Sequence, residues 1–209
     1  MIPLIAAEGI GSRLLKESLQ ILQNEETIKL DATPAGREVY LKFDFVDEYR
    51  LSRMVITPHA ERLNVSTARA VQKNDLPALV EFDREIFGAD RQTILQWMLE
   101  GAPQYSFLFE IENKIQGYCL GRIGHNFTHI GPVIAKNTGI AINLISAVLK
   151  NCIGKPVILD VLHFNQEWIE WLTSIGFAEQ RPFIRMYRGH NKFCGIPEKQ
   201  FAILGPEYG

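Results

Sequence analysis

The sequence predicts an α/β protein of the α+β type, in which helices flank a β-sheet. Segments with helical periodicity alternate with short strand-like runs along the chain, and part of this order occurs twice. Apolar residues make up 46% of the 209 residues and charged residues 22%, which is typical of a globular protein with a core. The net charge of −2 lacks the basic excess of nucleic-acid binders, so no nucleic-acid partner is expected.

The first part of the chain predicts a helix, a strand, a helix and a strand. The helix runs from Ser12 to Asn24, because Leu14, Leu15 and Leu19 recur at helical spacing and Ser12 can cap its free amides. The next three elements are a strand at 27–31, a helix at 34–43 with proline in its first turn, and a strand at 49–56. Residues 58–66 show no periodicity, and we interpret them as a linker.

After the linker the predicted order is β-α-α-β-β-β-α-β-α-β. The elements are a strand at 67–71, helices at 73–88 and 90–101, a hairpin at 105–124, a strand at 128–135, a helix at 138–151, a strand at 156–161, a helix at 165–174 and a strand at 178–187. The order before the linker matches the last four of these elements. We therefore expect residues 1–57 to be the C-terminal half of a first unit and residues 67–209 to be a complete second unit with a tail.

The number and spacing of the cysteines limit which metal site and which cellular compartment can be predicted. Cys119, Cys152 and Cys194 form no CxxC pair, so no metal site is predicted. Their odd number, with no signal-peptide pattern, favours the reducing cytoplasm. The apolar residues at the start of the chain form no run long enough to span a membrane, so no membrane partner is expected.

Four stretches carry a family resemblance. They are PLIAAEGIGSRLL at 3–15, LDATPAGREVYLKFDF at 30–45, DREIFGADR at 83–91, and RMYRG at 185–189 followed by FAILGPEYG at 201–209. In this order they resemble the GNAT-type N-acetyltransferases, and most closely the bacterial proteins with two such domains in tandem.

The resemblance implies a mixed, mostly antiparallel sheet flanked by helices. It also implies transfer of an acetyl group from acetyl-CoA to a primary amine of a small molecule or a protein. By the same comparison, the chain is expected to begin at the end of the fourth strand of the first unit. The half of that unit which precedes this strand would then be missing, which would impair activity.

The glycine turn before the first helix is the candidate site for the pyrophosphate of acetyl-CoA. Free amide groups converge at a helix start, and glycines let a backbone approach an anion closely. From the resemblance, the cofactor-binding residues are Ala7, Glu8, Gly9, Ile10, Gly11, Ser12, Arg13, Thr33 and Gly36. Ala6 stands where the family has Arg or Gln, which removes one side-chain anchor.

Tyr40 is the candidate general acid. It lies four residues before Asp44, where the family has Tyr-x-x-x-Gly-Phe, and the family tyrosine protonates the departing thiolate of coenzyme A. The alternative is that Tyr40 packs on the sheet with its hydroxyl group in water. The second unit has Leu172 at the matching position and keeps only Gly139 in its loop. We therefore expect the second unit to shape or cover the acceptor site.

Asp83, Asp90 and Arg91 are the substrate-binding candidates, because the resemblance places the first two helices of the second unit beside the acceptor. A carboxylate there could take the proton of an incoming ammonium group, whereas Asp90 could instead cap a helix. The second functional hypothesis is a non-catalytic module that binds a ligand or forms a homodimer. An open sheet edge in the incomplete first unit would favour such a homodimer.

Overall fold

The computed structural model describes residues 9–60 and 65–208. Within these residues the chain forms six α-helices and one nine-stranded sheet. The helices are α1 Ile10–Ile21, α2 Pro34–Tyr40, α3 Leu76–Phe87, α4 Gln92–Gly101, α5 Thr138–Lys150 and α6 Gln166–Ile175. The strands are β1 Thr27–Ala32, β2 Val46–Ile56, β3 Arg69–Ala70, β4 Phe107–Ile111, β5 Lys114–Ile123, β6 Thr128–Ala135, β7 Val157–Leu162, β8 Ala178–Gly189 and β9 Gln200–Ile203.

Each predicted helix and strand is present, with shifted ends. The predicted helix at 34–43 ends at Tyr40 and continues as a short 3-10 turn. The turn of the predicted hairpin is formed by Glu112 and Asn113, which both have positive φ. Strand β9 was missed, because its four residues are too few for a periodic pattern and follow a proline-containing turn.

The sheet has the order β1-β8-β2-β7-β9-β6-β5-β4-β3. All neighbouring strands are antiparallel except β6 and β7, which pair in parallel through two residues of each strand. The predicted mixed, mostly antiparallel sheet flanked by helices is therefore confirmed.

We call residues 9–56 the N-terminal segment and residues 65–208 the C-terminal segment. Strand β8 of the C-terminal segment lies between β1 and β2, and β2 of the N-terminal segment lies between β8 and β7. Each segment therefore completes its part of the sheet with a strand of the other. The division at residues 58–66 stays a prediction.

The strand pairings are arranged symmetrically about a local two-fold axis at the centre of the β2–β8 pair, where Leu51 lies opposite Phe183. The elements α1-β1-α2-β2 repeat as α5-β7-α6-β8, in agreement with the repeat expected from the sequence. On either side of the axis, a strand of one segment meets a strand of the other. The exchange of strands therefore forms two similar boundaries between the segments, β1–β8 and β2–β7, which we call the two seams.

Each seam holds an Asp–Arg pair. Asp31 of β1 lies opposite Arg185 of β8, and Asp160 of β7 lies opposite Arg53 of β2. Both arginines use Nε and Nη2 to bind the two carboxylate oxygens, with Nη2–Oδ2 distances of 2.8 Å for Arg185 and 2.9 Å for Arg53. Both carboxylates are fully buried, so each is stabilised by its arginine partner.

The surroundings of the two carboxylates differ. Burial raises the pKa of Asp31, and Arg185 offsets this shift only in part. Burial also acts to raise the pKa of Asp160, but His129 and Arg53 together outweigh it and lower that pKa below its ordinary value. His129 Nε2 lies 3.1 Å from Asp160 Oδ2. The second seam thus has an additional polar partner that the first lacks.

Helices cover both faces of the sheet. Tyr118 and Leu120 of β5 pack in the cluster with α3 and α4, whereas Cys119 between them packs in the cluster with α5 and α6. Helices α1 and α2 contribute to a smaller cluster over β1 and β8, which is centred on the buried residues Ala32, Phe45 and Met186. Alternation along each strand therefore decides which helix layer its side chains contact.

We predict that Asp31→Leu lowers the free energy of unfolding by about 3–5 kcal/mol, because it leaves the buried Arg185 guanidinium without an anion. The double variant Asp31→Leu/Arg185→Met removes both charges and should be more stable than Asp31→Leu alone. Urea unfolding measures both. The control is Lys192→Met, which breaks the exposed pair with Glu26 and should leave the unfolding midpoint unchanged. If the two substitutions changed the free energy of unfolding additively, the prediction would be contradicted.

Candidate functional site

The glycine turn at the start of α1 is open. Helix α1 begins at Ile10 with Gly9 as its N-cap, and no side chain of the described residues caps it. A Cβ atom on Gly9 or Gly11 would meet no heavy atom within 4 Å. The first-turn amides have no intrahelical acceptors, so as far as the described residues show they are available to an anion. The predicted residues Ala7 and Glu8 lie outside the described residues.

Helix α2 places Tyr40 and is fixed at its start by Thr33. The Thr33 hydroxyl accepts a hydrogen bond from the backbone N–H of Gly36 at 3.1 Å, and Pro34 occupies the first turn. A Cβ atom on Gly36 would lie 3.3 Å from Cε2 of Tyr40. Gly36 therefore makes room for the tyrosine ring, and Thr33 acts as a helix cap.

Asp44 keeps the turn that the family glycine would make. Its φ of 62° lies in the left-handed region, which aspartate tolerates better than most residues. The turn leads into Phe45, which is buried and packs edge-on against the Tyr40 ring with the centroids 5.9 Å apart. The substitution of glycine by Asp44 therefore leaves the chain path after Tyr40 in place.

A groove of about 390 Å³ lies between α1 and α2. It is lined by residues of both helices: Gly11, Ser12, Leu14, Leu15, Ser18, Gly36, Val39 and Tyr40. The groove brings Gly11, Ser12 and Gly36, all predicted to bind the cofactor, beside Tyr40. Ile10 and Arg13 are exposed on the same first turn of α1.

The residues predicted to bind substrate have internal partners. Arg91 binds both oxygens of Asp83 at 2.8 and 2.9 Å, and both side chains are buried. The Tyr118 hydroxyl also donates to Asp83, and burial together with the negative charge of Asp83 holds the pKa of Tyr118 well above its ordinary value. The Arg91 guanidinium lies 3.7 Å from the centre of the Phe87 ring. This cluster joins α3, α4 and β5.

Asp90 is exposed and lies directly before Arg91, the N-cap residue of α4. Its Oδ1 accepts a hydrogen bond from the backbone N–H of Gln92, the first residue of α4, at 2.9 Å. This bond and the Arg84 guanidinium, 2.8 Å from Oδ2, lower the pKa of Asp90. A substrate-binding role of Asp83, Asp90 and Arg91 stays a prediction, and their contacts are those of a structural cluster.

A second pocket, of about 420 Å³, lies beside β1 and was not predicted. Its walls come from β1, α3, α4, β8 and the C-terminal residues: Thr27, Lys29, Leu30, Phe87, Ile94, Arg185, Phe193, Pro206, Glu207 and Tyr208. The polar residues Thr27, Lys29 and Asp31 alternate along β1, which was the available signal for a polar face. The partners on β8 and in the tail are more than 150 residues away, so no local pattern could reveal the pocket.

In the C-terminal segment, the gap between strands β6 and β7 is filled by strand β9. Strands β6 and β7 diverge after their short parallel pairing, and β9 lies between them, with Ala202 paired to both Val133 and Val161. A Cβ atom on Gly131 would lie 2.0 Å from the carbonyl oxygen of Ile203. The tail therefore packs against β6 at backbone distance, and the gap between β6 and β7 is closed by the chain itself.

The fold is that of a class of enzymes that transfer acyl groups. The family model described as "Acetyltransferase (GNAT) domain" matches residues 79–202, more than half of the chain. The chain belongs to the GNAT acetyltransferases. The predicted family and the prediction of an acyltransferase that carries out acetyl transfer are thereby confirmed.

Individual relatives agree with this family. Holothin acyltransferase of Pseudoalteromonas sp. (strain SANK 73390) is 25% identical over 203 residues, which are 97% of this chain and 68% of the relative. The uncharacterized N-acetyltransferase YitH of Bacillus subtilis (strain 168) is 23% identical over 186 residues, 86% of this chain and 64% of that protein. The chain thus spans about two thirds of the length of these relatives.

A solved structure shows the same fold. The crystal structure of a putative acetyltransferase from Pyrococcus horikoshii superposes with a TM-score of 0.77 at 24% sequence identity, and the match covers 98% of this chain and 68% of that one. In the described ranges of the present chain, every helix is too short or too polar to cross a membrane. Across those ranges, no group of three or more His, Cys, Asp or Glu side chains is arranged to hold a metal ion.

We predict that Gly131→Ala lowers the free energy of unfolding by about 1–3 kcal/mol, because the added methyl group must displace β9. Urea unfolding measures the loss, and hydrogen exchange should show faster exchange in residues 200–203. The matched control is Gly139→Ala in α5, where the new Cβ would lie 3.5 Å from its nearest neighbour and should stabilise the helix by about 0.5–1 kcal/mol. Equal stability of both variants would refute the packing described for β9.

Proposed function

We propose that this chain transfers an acetyl group from acetyl-CoA to a primary amine, with the donor bound in the groove between α1 and α2. The observation that carries this proposal is the groove itself, because it joins a helix start that no described side chain caps to Tyr40. A diphosphate at Gly9–Arg13 would accept hydrogen bonds from the first-turn amides and be favoured by the helix dipole. Each such contact is worth only about 0.3–1 kcal/mol, so several must act together.

Tyr40 is the proposed general acid. A neutral amine attacks the carbonyl carbon of the thioester, a C–N bond forms, and the C–S bond then breaks. The phenolic O–H of Tyr40 would give its proton to the departing sulfur, while the amine nitrogen releases a proton to solvent. The support is that Tyr40 lines the groove, with its ring held between Gly36 and Phe45.

The C-terminal segment is proposed to be a second GNAT unit without a donor site, so that the chain has a tandem arrangement with one active half. Its loop keeps only Gly139, and the buried Leu172 stands where the other half has Tyr40. The gap between β6 and β7 contains β9. A relative that is named an acyltransferase for holothin supports acyl transfer as the reaction of this architecture.

We also propose that the protein resides in the cytoplasm. The three cysteines are free thiols, which suits a reducing compartment. A homodimer stays a prediction, and light scattering at several protein concentrations tests it.

Tyr40→Phe should lower kcat by about 10²–10⁴-fold, because it removes a general acid without changing the ring. The Kd of coenzyme A, measured by calorimetry, should stay within about twofold, since the helix-start amides are untouched. Tyr105→Phe is the matched control, because Tyr105 is a buried tyrosine outside the groove. A Tyr40→Phe enzyme with wild-type kcat would rule out this role.

The double variant Gly9→Asp/Gly11→Asp should raise the Kd of coenzyme A about tenfold or more, because two carboxylates would repel the diphosphate at the helix start. Among the described residues nothing occupies the space a side chain would take at either position, so we expect the effect to be electrostatic. Gly101→Asp, at a glycine with equally open surroundings, is the control. Isothermal titration calorimetry with coenzyme A measures these Kd values. Absence of coenzyme A binding to the unaltered protein would overturn the proposed donor site.

A further inference from the structure

We infer that the 420 Å³ pocket beside β1 binds the acceptor, and that this acceptor is a small amine with a flat apolar body and a neutral carbonyl oxygen. The inference rests on the proposed function, because it assigns the acceptor side of the same reaction.

The position of the pocket suits attack on the donor. Ile28 and Leu30 of β1 pack with Tyr40 in the cluster under α1 and α2, whereas Lys29 between them lines the pocket. Leu30 belongs to both, because it also lines the pocket. The donor groove and most of the pocket therefore lie on opposite faces of β1, which is the edge strand of the sheet among the described residues. An amine held in the pocket would reach an acyl group beside Tyr40 past the outer edge of β1.

The pocket has two unused hydrogen-bond donors. Lys29 Nζ donates to Glu48 Oε1 at 3.0 Å and to the carbonyl oxygen of Phe193 at 3.1 Å, and an ammonium group has a third hydrogen to donate. Arg185 uses Nε and Nη2 for Asp31, and within the described residues no acceptor is bound to its Nη1. Because both side chains line the pocket, a ligand oxygen could accept from either.

The charge balance of the pocket favours a neutral ligand oxygen over a charged one. Lys29 is neutralised by Glu48, Arg185 by its aspartate on β1, and at the rim Glu207 is paired with Arg122. A carboxylate would therefore enter a site without surplus positive charge and would lose its hydration. A neutral carbonyl oxygen accepts the same hydrogen bonds at a smaller desolvation cost.

The lining residues and the volume of the pocket indicate the shape and size of the acceptor. Phe87, Phe193 and Tyr208 offer aromatic surface, which favours a flat ring. The volume of about 420 Å³ is that of a small-molecule site. A polyamine would need several carboxylates, but Glu207 is the single acidic residue that the described part of the chain contributes to the lining. These walls favour a compact ring-bearing amine.

The test uses the full chain and the probe 3-aminoquinolin-2(1H)-one, titrated calorimetrically with and without saturating coenzyme A. The comparators are 3-aminoquinoline, which lacks the carbonyl group, and spermidine. We expect the probe to bind at least about tenfold more tightly than either comparator, which is the effect of one satisfied hydrogen bond to a charged donor. Acetylation of the probe, followed by mass spectrometry, should show the same order of kcat/KM.

Two variants locate the binding site. Ile94→Trp fills the pocket and Phe193→Ala removes a rim wall, and each should raise the Kd of the probe about tenfold while the Kd of coenzyme A is unchanged. Trp97→Ala, an exposed aromatic residue on the same helix as Ile94, is the control and should change neither constant. Circular dichroism and thermal unfolding confirm that the variants are folded.

The outcomes separate the two proposals. Coenzyme A binding without probe binding, or probe binding unaffected by both pocket variants, would overturn the acceptor pocket and leave the donor site standing. Tighter binding of spermidine or of 3-aminoquinoline would overturn the ligand class. Failure of coenzyme A alone to bind would overturn the proposed function, and the titrations without coenzyme A would still decide whether the pocket takes the probe.

Discussion

The exchange of β2 and β8 between the two segments is the constraint on which the rest of the structure depends. It places one Asp–Arg pair on each side of the axis through Leu51 and Phe183. A slip of one residue in either strand would turn every side chain to the opposite face and bury a charge without its partner. The register of four strands is therefore fixed by two ion pairs and the central apolar contact, and neither segment can form this seam alone.

The donor groove depends on the same exchange. Strand β8 holds β1, and Met186 of β8 is fully buried in the cluster that supports α1 and α2. Phe45, in the same cluster, contacts the Tyr40 ring. The side chain proposed as the acid is thus positioned by a strand that lies far away in the sequence. The acceptor pocket draws on the same source, because Arg185 of β8 lines it.

Local chemistry made much of the fold predictable. The helices and strands have clear periodicity, and the glycine turn and Tyr40 lie in short segments whose motif order carries the family resemblance. The interleaving of the strands was not predictable, because hydrophobic alternation in β8 is the same whichever strands flank it. The burial of Asp83 and Arg91 was also hidden, since the partner Tyr118 comes from a distant strand and the charged residues read as surface groups. Tertiary pairing decided each of these cases.

Strand β9 has a consequence for how the chain reaches its final state. It is the last of the described strands along the chain, yet it pairs with both β6 and β7 in the interior of the sheet. Until it docks, the facing backbone amides and carbonyls of those two strands have no partner, much as at an exposed sheet edge. Closure of this seam joins residues that are distant in the chain, which makes it a slow, non-local step. A nascent chain would therefore hold a gap prone to association until Gln200–Ile203 leave the ribosome and dock.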